Sequence, residues 1–443
     1  MSSPTRSPSA DVAAGAPVPD QAPRGSAADA LRAALHTALG EKIPVRFEFW
    51  DNSAIGDPVA GRVRVHRPMA IRRLLWAPDQ LGVARAYVAG DLDIDGDIYD
   101  VMTALRDAAP ANLRFGIGMA PAVLRGALEV NAVGPPPQPP AEEIQPRGLL
   151  HSRDRDARAI SHHYDVGNDF YRLVLGPAMT YSCARFVTDD MSLAEAQDAK
   201  HELICRKLGL HERPGMRMLD VGCGWGSLAI HAARHHGASV VGITISREQV
   251  DLARRRVADA GLERQVEIRL QDYRDVRDEA FDAIASVGMS EHVGHRRARA
   301  YFDGLYALLV DEGRLLNHAI SSMGGSRLGR RSFAGRYVFP DGELMDVGEQ
   351  VVIMERSGFE IRDVESLREH YAVTLRHWVA NLESAWDRAV ALVGDARARV
   401  WRLYMAGSAI GFEDGGIAVH QVVGVRPTPE GSSGMPRTRA GWA

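Results

Sequence analysis

The stretch Leu219-Asp220-Val221-Gly222-Cys223-Gly224-Trp225-Gly226 decides the fold of this chain. A short apolar run ends in an acidic residue, three glycines then alternate with other residues, and a helix-like run from 227 to 235 follows at once. Glycines let the backbone turn sharply and approach a ligand closely because no Cβ stands in the way. The order predicts a strand, a tight turn and a helix start, where open α/β sheets bind nucleotide-like ligands.

The spacing of these glycines separates the loop from two other nucleotide-binding motifs. A dinucleotide fingerprint needs G-x-G-x-x-G and a P-loop needs a Lys-Ser or Lys-Thr pair, and this loop has neither. The pattern D-x-G-x-G-x-G resembles the first motif of the S-adenosylmethionine-dependent methyltransferases. The loop therefore predicts a site for that methyl donor, with Asp220, Gly222, Gly224 and Gly226 as candidate residues.

The C-terminal part of the chain alternates short apolar runs with helix-like segments such as 247–261 and 296–309. Strands that alternate with helices indicate a parallel sheet. We therefore predict an α/β fold with a doubly wound, Rossmann-like methyltransferase sheet. Its predicted strands are 217–221, 239–244, 266–270, 281–287 and 313–320.

A smaller α+β domain is predicted ahead of that sheet. A helix-like run covers 27–39, alternating strand patterns cover 45–50 and 61–66, and a helix followed by a turn covers 81–91. The domain carries no catalytic constellation. Its residues leave open whether it serves lipid docking or formation of a homodimer.

Composition divides the chain into five segments. The run Gly134–Pro140 is the clearest boundary because prolines stiffen into an extended spacer. The two ends are rich in small residues and proline, which is typical of disorder. The predicted segments are a disordered start at 1–25, an accessory domain at 26–130, a Pro-rich linker at 131–150, a methyltransferase domain at 151–426 and a disordered tail at 427–443.

Composition and charge also exclude several classes of protein. The 443 residues carry a formal net charge of −4, which gives no basis for a nucleic-acid partner. No apolar stretch of about 18 residues predicts a membrane span, and the N-terminal segment lacks the apolar core of a signal peptide. Three widely spaced cysteines predict no disulfide framework, so we expect a cytoplasmic location. We assign no metal ligands.

Polar residues after the second and third strands are candidates for holding the donor. Nucleotide-binding α/β folds often place a carboxylate after strand 2 to hold ribose hydroxyls, and none stands there. Thr244, Ser246 and Gln249 are the alternative hydrogen-bonding groups. Ser246 equally fits the N-cap of the next helix, with Gln249 completing a capping box. Asp272, after strand 3, fits an acceptor for an adenine amino group or a solvated loop carboxylate.

The loop after strand 4 offers a second set of candidates. Glu291 and His292 follow that strand at the edge where the donor is expected, and Glu291 is the stronger candidate. His318 ends an apolar strand, where a lone histidine is more often part of the core. Cys183 precedes the glycine loop, and a single buried cysteine usually behaves as a small apolar residue.

An ordered set of motifs resembles the cyclopropane-fatty-acyl-phospholipid synthase family, which includes the mycolic-acid cyclopropane synthases. The similarity extends over about residues 40–425. Besides the glycine loop, the matching segments are Ala86–Asp91, His163–Tyr171, Met179–Ala184, Gly288–Gly294, Asn317–Ile320, Tyr337–Gly342, His370–Arg376 and His420–Val423.

The resemblance implies a reaction on the cis double bond of an acyl chain in a membrane phospholipid. The alkene attacks the sulfonium methyl of S-adenosylmethionine, a carbocation forms, and loss of a proton from the new methyl closes a cyclopropane ring. In this family the base is a bound bicarbonate ion. Its pocket corresponds here to Cys183, Glu291, His318, Ile320 and Tyr371. The donor would be held by Tyr181, Ser182, Asp220, Gly222, Gly224, Gly226, Thr244, Ser246, Gln249 and Asp272.

Two departures from the family pattern bear on the product. Ser290 stands where an aromatic residue is common, and Ala319 stands where Thr or Gly is also common. Some relatives release a methylene-branched chain, which a reductase partner then converts to a methyl branch. Methylation of a small soluble nucleophile and a non-catalytic lipid- or donor-binding role are the other hypotheses.

Access to lipid without a membrane span requires peripheral contact, expected at the inner face of the cell membrane. Cationic side chains near a surface attract anionic headgroups, by about 1 kcal/mol each. The arginines near Phe333, Tyr337 and Phe339 fit either a solvated face or a segment that docks on the membrane. These arginines are Arg327, Arg330, Arg331 and Arg336, with Arg296, Arg297 and Arg299 on another helix start.

Overall fold

The computed structural model of the chain describes residues 25–108, 120–144, 166–324, 332–340 and 342–442. The N-terminal part contains a four-stranded sheet in the order β2-β1-β3-β4. β1 and β3 are parallel, and the other pairs are antiparallel. Two of these strands follow the predicted alternating patterns. The strands are β1 Arg46–Phe49, β2 Ala54–Ile55, β3 Arg62–Val65 and β4 Leu92–Asp95.

Helices cover one face of this sheet and close an apolar core. Alternation places Val63 and Val65 on the buried face of β3, where they join Val45, Tyr87 and Val101. The helix predicted at 27–39 is present with the same bounds. The helices of this part are α1 Ala27–Leu39, α2 Met69–Trp76, α3 Gln80–Val88, α4 Ile98–Ala108 and α5 Ala120–Glu129.

The Pro-rich segment is anchored rather than a free spacer. Arg72 donates hydrogen bonds to the carbonyls of Asn131, Ala132 and Val133, and Trp76 donates to that of Gly134. Glu143 is buried and takes both hydrogen bonds of the Arg85 guanidinium, each 2.7 Å long. Backbone carbonyls, which remain available in a proline run, therefore bind this segment to α2. Residues 145–150 of the predicted linker lie outside the described residues.

The C-terminal part is built on an eight-stranded sheet in the order β11-β12-β9-β8-β5-β6-β7, with β10 beside β9. Strands β5 to β9 are parallel, and β12 is antiparallel to both of its neighbours. The doubly wound sheet is therefore confirmed, with β9 starting four residues before its predicted bound. The strands are β5 Arg217–Val221, β6 Ser239–Thr244, β7 Val266–Leu270, β8 Phe281–Val287, β9 Leu309–Ser322, β10 Met345–Asp346, β11 Glu360–Ser366 and β12 Ile417–Val425.

The helices of this part flank the sheet. A capping box between Ser192 and Glu195 starts α7, and Gly226 precedes α8 in a left-handed conformation. The helices are α6 Asn168–Leu175, α7 Leu193–Lys207, α8 Ser227–His236, α9 Arg247–Asp259, α10 Ser290–Val293, α11 His295–Ala307, α12 Phe333–Tyr337, α13 Val347–Arg356, α14 Arg368–Ser384, α15 Trp386–Val393 and α16 Asp395–Glu413; short 3₁₀ turns cover Tyr273–Asp275 and Ala440–Trp442.

The two parts of the chain share one apolar core. Leu81, Val88 and Ile98 from the N-terminal part lie in the same cluster as Trp401 and Met405 of α16. An Arg399–Asp93 ion pair, 2.9 Å long, crosses the same boundary. The smaller domain therefore packs directly against the helices that surround the candidate site.

The prediction of a disordered tail at 427–443 is wrong for the described residues up to 442. Trp442 is 7% exposed, and Arg439 pairs with the buried carboxylate of Asp363 at 2.5 Å. Asp363 also pairs with Lys207 at 2.8 Å. The prolines and glycines of the tail are typical of disorder, but its tryptophan and arginine cover a buried charged cluster. The segment 1–24, predicted to be disordered, lies outside the described residues.

Within the described ranges, the structure contains no helix with the length and apolarity needed to span a bilayer.

Candidate active site

The glycine loop between β5 and α8 takes the conformation that its sequence demands. Gly222, Gly224 and Gly226 have φ values of 76°, 53° and 78°, a region that residues with a Cβ rarely adopt. A Cβ on Gly222 would also lie 2.4 Å from Sδ of Met289. The loop is therefore restricted to glycine by backbone conformation and, at Gly222, by space.

A cavity of about 1250 Å³, counted with its open mouth, lies at the carboxyl ends of β5, β6 and β8. This is the edge where open α/β sheets bind ligands. Gly226 and Ser246 are absent from its lining. Eight of the ten predicted donor-binding residues line it: Tyr181, Ser182, Asp220, Gly222, Gly224, Thr244, Gln249 and Asp272.

Ser246 has the helix-capping role that the sequence left as an alternative. Its Oγ accepts a hydrogen bond from the backbone N–H of Gln249, at 3.3 Å. The predicted capping box does not form, because the Gln249 side chain instead accepts a 2.7 Å hydrogen bond from Thr244 Oγ1. This pair leaves Thr244 and Gln249 side by side in the cavity wall.

Asp272 lies in the cavity wall but is not a free loop carboxylate. Its two oxygens accept hydrogen bonds from the Arg274 guanidinium at 2.8 and 2.6 Å. The backbone N–H of Arg274 adds a third, at 2.9 Å. Arg274 therefore fixes the orientation of this carboxylate and balances its charge.

The cavity wall contains a buried cation that sequence reasoning missed. Lys200 on α7 is 1% exposed and donates a 3.0 Å hydrogen bond to Ser182 Oγ. The carboxylates of Asp220 and Asp198 act on its ammonium group at longer range, and neither forms an ion pair with it. Burial lowers the pKa of Lys200 to about 8. A buried ammonium group beside an open cavity favours an anionic ligand group.

Asp220 complements this cation at longer range. It is buried at the end of β5, and its Oδ2 has no hydrogen-bond partner among the described residues. Burial raises the pKa of Asp220 to about 7, while the charge of Lys200 opposes that rise. The cavity therefore presents both signs of charge, which fits an amino-acid moiety with its ammonium and carboxylate groups.

A second cavity, of about 950 Å³, adjoins the first and shares four residues with it: Tyr181, Ser182, Gly288 and His292. Its remaining wall is mainly apolar and comes largely from β9, β12, α14 and α16. The apolar lining includes Ile320, Phe339, Leu344, Leu375, Phe412, Ile417 and Val419. The first cavity, which contains most of the predicted donor-binding residues, is called the donor cavity, and the second is called the acceptor cavity; the two meet at the shared wall.

Glu291 and His318 bring polar groups into this apolar cavity. Glu291 Oε1 accepts a 2.7 Å hydrogen bond from the backbone N–H of Ile320, and burial raises the pKa of Glu291 to about 7. His318 Nδ1 lies 3.3 Å from the amide nitrogen of Gln421. Since that nitrogen is a donor, His318 Nδ1 accepts and Nε2 carries the proton. Burial lowers the pKa of His318 to about 3, so the ring is neutral.

Among the described residues, Glu291 Oε2 and His318 Nε2 have no hydrogen-bond partner, so this pair offers one acceptor and one donor. Tyr371 lines the same cavity. Bicarbonate carries both a donor hydroxyl and acceptor oxygens, so this set of groups fits such an ion. Four of the five residues predicted for the base pocket, Glu291, His318, Ile320 and Tyr371, lie together.

Cys183 is the predicted pocket residue that does not line the cavity. Its thiol is fully buried and is directed to the carbonyl oxygens of Ala184 and Leu367, at 3.1 and 3.5 Å. Burial also raises the pKa of the thiol well above its ordinary value. The structure gives Cys183 the packing role that is usual for a lone cysteine.

The basic patches do not form one lipid-facing surface among the described residues. Tyr337 is buried, Arg336 lies 3.8 Å from Glu143, and Arg297 lines the donor cavity. Arg299 pairs with Asp303 at 2.7 Å, whereas Arg296 is exposed. Arg327, Arg330 and Arg331 lie outside the described residues, as do His163 and Tyr164.

Sequence reasoning also missed residues that the tertiary fold brings to the cavities. Lys200 lies on a helix with no local motif, and a lysine among otherwise buried positions was its only signal. Tyr404 and Phe412 lie on α16, far from the glycine loop in sequence. His292 lines both cavities, although its sequence position alone made it a weak candidate.

Residues 151–422 match the family model described as mycolic acid cyclopropane synthetase. The chain belongs to this family. A probable fatty acid methyltransferase of Mycobacterium tuberculosis is 41% identical over 91% of this chain and 95% of its own length. A probable fatty acid methyltransferase of Pseudomonas putida is 40% identical over 90% of this chain and 95% of its own length.

A solved structure from the family supports the same assignment. The mycolic acid cyclopropane synthase CmaA1 complexed with SAH and CTAB is 36% identical, with a TM-score of 0.57. The match covers 60% of this chain and 97% of CmaA1. The chain is thus an S-adenosylmethionine-dependent methyltransferase of the lipid-modifying cyclopropane synthase family, with a Rossmann-like catalytic sheet.

Proposed function

We propose that this enzyme transfers a one-carbon unit from S-adenosylmethionine to the cis double bond of an unsaturated acyl chain in a membrane phospholipid, forming a cyclopropane fatty acid. The observation that carries the proposal is the pair of adjoining cavities. One has the polar groups that a zwitterionic nucleoside needs, and the other is a mainly apolar space lined by the carboxyl group of Glu291, next in sequence to the shared residue His292. An acyl chain fits such a space because burial of its methylenes is favourable.

In the donor cavity, Lys200 would pair with the carboxylate of the methionine moiety. Thr244 and Gln249 would bind the ribose hydroxyls, and Asp272, oriented by Arg274, would accept from the adenine amino group. The glycine loop lets its backbone approach the ligand without steric hindrance. Together these residues would orient the sulfonium methyl toward the shared wall.

In the acceptor cavity, the apolar wall would exclude water from a developing carbocation. Glu291 in its carboxylate form would stabilise that positive charge. S-adenosylmethionine, when bound, supplies the electrophilic methyl group, and a bound bicarbonate ion supplies the base. Glu291, His318 and Tyr371 line this cavity and are the residues that would hold the ion, Glu291 through Oε2 as an acceptor and His318 through Nε2 as a donor.

The test uses purified protein, vesicles of a mono-unsaturated anionic phospholipid, and S-adenosylmethionine. Released fatty acid methyl esters are separated by gas chromatography–mass spectrometry against ring and branched standards. We expect a product heavier by one CH₂ that co-elutes with the cyclopropane standard. Methylation of a free small molecule with unchanged lipid would overturn the proposal.

A methylene-branched product is the second candidate, because two of the relatives aligned over nine tenths of this chain are named probable fatty acid methyltransferases. This product has the same mass as the ring product but a different retention time, and it contains a double bond that can be hydrogenated. Added hydrogen and catalyst would convert it to a methyl-branched chain under conditions that leave the ring intact. With this outcome, a separate reductase would act next and convert the methylene branch to a methyl branch.

The proposed location is the inner face of the cell membrane, with peripheral contact. The N-terminal domain packs on α16, which also lines the acceptor cavity. Lipid docking by this domain would therefore take place close to the point where the acyl chain enters that cavity. A homodimer formed through the same domain is the alternative role. Vesicle sedimentation and light scattering of the full chain distinguish the two.

The Lys200→Met variant tests the proposed carboxylate partner. In the wild type, the affinity for S-adenosylhomocysteine should fall as the pH rises through about 8, because Lys200 loses its charge. At pH 7 the variant should bind about 10- to 150-fold more weakly, corresponding to a lost charge-assisted hydrogen bond of about 1.5–3 kcal/mol. Its Kd should lack the change near pH 8. Calorimetric titrations from pH 7 to 9 measure both, and identical pH curves would rule out this role.

A further inference from the structure

A cluster of metal-ligating side chains lies between α7 and α8, outside the catalytic cavities. Glu202 Oε2 lies 2.8 Å from His236 Nε2 and 3.2 Å from His231 Nε2. Cys205 lies one turn beyond Glu202 on α7. One ligand atom each of Cys205, His231 and His236 lies within 4.8 Å of the others. A thiol and two imidazoles therefore converge from two helices, and the Glu202 carboxylate contacts both imidazoles.

This donor set matches the preferences of a zinc-class cation. Zn²⁺ binds cysteine sulfur, histidine nitrogen and carboxylate oxygen in tetrahedral geometry, with bonds of about 2.0–2.3 Å. Ligand atoms in such a site lie about 3.4–3.7 Å apart, as follows from those bond lengths. The groups here need side-chain shifts of about 1 Å to reach that arrangement. The Glu202 side chain is 34% exposed and has room to move, whereas those of His231 and His236 are 10% and 7% exposed.

The hydrogen bonds of this cluster fix the position of its carboxylate. Arg206 Nε donates a 2.6 Å hydrogen bond to Glu202 Oε1, which leaves Glu202 Oε2 to the two imidazoles. A metal would bind the carboxylate, the thiolate and the neutral imidazoles, so its binding would release protons.

We propose that Glu202, Cys205, His231 and His236 form a binding site for a zinc-class divalent transition metal that joins α7 to α8. Both helices also reach the donor cavity: α7 through Lys200 and His201, and α8 through Ser227 and Leu228. The metal would hold the two helices together beside the donor cavity. This site is separate from methyl transfer and would be present whatever lipid the enzyme modifies.

A second set of candidate ligands, Asp198, His201 and His231, shares His231 and therefore competes with the proposed site. His201 is buried, lies 3.5 Å from Thr180 Oγ1, and lines the donor cavity. We favour the Glu202 set because one carboxylate oxygen already contacts both imidazoles. The two sets make opposite predictions for variants at Cys205 and Asp198.

The test titrates full-length, tag-free, metal-stripped protein with Zn²⁺ in a calorimeter and with Co²⁺ in a spectrophotometer. We expect one Zn²⁺ per chain with a micromolar or tighter Kd, and a Zn²⁺-dependent rise in Tm. Co²⁺ should give the visible bands of a tetrahedral site together with a thiolate-to-metal charge-transfer band. That band reports Cys205 directly and does not depend on enzymatic activity.

Variants separate the ligands from their neighbours. Cys205→Ala should lose the charge-transfer band, and His231→Gln/His236→Gln should weaken Zn²⁺ binding by about 100-fold or more. His235→Gln changes an exposed histidine on the same helix, and with Asp198→Asn it should leave binding unchanged. Circular dichroism confirms that each variant folds. Binding weaker than about 100 μM, or binding that depends on Asp198 but not on Cys205, would overturn the proposal.

Discussion

The Glu291→Gln variant should lose about 10²- to 10³-fold in kcat while it retains the wild-type affinity for S-adenosylhomocysteine. Glutamine can still accept the hydrogen bond from Ile320, so the local geometry is kept. It cannot supply the negative charge that the proposed mechanism places next to a carbocation. The loss should therefore appear in the chemical step and not in binding of the donor. Single-turnover rates of lipid methylation and calorimetric binding measure the two quantities.

Stability provides a readout that separates this role from a structural one. Burial raises the pKa of Glu291 from 4.5 in the unfolded chain to about 7 in the folded enzyme. A raised carboxyl pKa means that stability falls as the pH rises between these two values. Neutral glutamine avoids this cost, so the variant should be more stable at pH 8, by up to about 3 kcal/mol. A variant that is both inactive and less stable would contradict the proposed role.

The pH dependence follows from the same carboxyl group. At saturating S-adenosylmethionine, kcat/KM for lipid should rise with pH and reach a plateau at or below about pH 7. The bound sulfonium cation should lower the pKa of the nearby Glu291 carboxyl group from its value of about 7 in the free enzyme. Asp220 also has a pKa near 7, but it lies in the donor cavity and is masked at saturation. The exposed Glu349→Gln substitution is the matched control and should leave the profile unchanged.

The features that the sequence predicted well are local ones. The strand from 217 to 221, the glycine loop and the helix after it are encoded in about twenty consecutive residues, and the structure has all three. The alternation of strands and helices was likewise sufficient for the parallel order around β5. Glu291 and Thr244 could be predicted from sequence because Glu291 follows a strand, Thr244 ends one, and the carboxyl ends of parallel strands meet at one edge.

The features that it missed depend on contacts between distant segments. The antiparallel strands β11 and β12 carry no α/β pattern, and only their pairing with β9 defines them. Lys200 is a site residue only because α7 packs beside the loop. Trp442 is buried because Lys207, Asp363 and Arg439 form a charged cluster beneath the tail. Composition reports none of these contacts.

The Gly222→Ala substitution should weaken binding of S-adenosylhomocysteine by about 30- to 150-fold, which corresponds to about 2–3 kcal/mol. Alanine at a φ of 76° costs about 1–2 kcal/mol of folding stability, because it strains the loop. In addition, the new Cβ would lie 2.4 Å from Met289 Sδ, and Met289 lines the donor cavity. Relief of that clash moves either the loop or Met289 into the space that the ligand needs. Calorimetric titration with the wild type as reference measures the effect.

The matched control is Gly237→Ala at the other end of α8. Gly237 has a φ of 65°, so alanine there carries a similar backbone cost, but its nearest contact would be Pro214 at 3.9 Å. The control should lose about 1–2 kcal/mol of stability and keep its ligand affinity within twofold. Because both substitutions strain the backbone alike, any difference in affinity between them is due to the position of Gly222 beside Met289. Equal loss of affinity in both variants would mean that general strain of α8, and not the fit of the loop, controls binding.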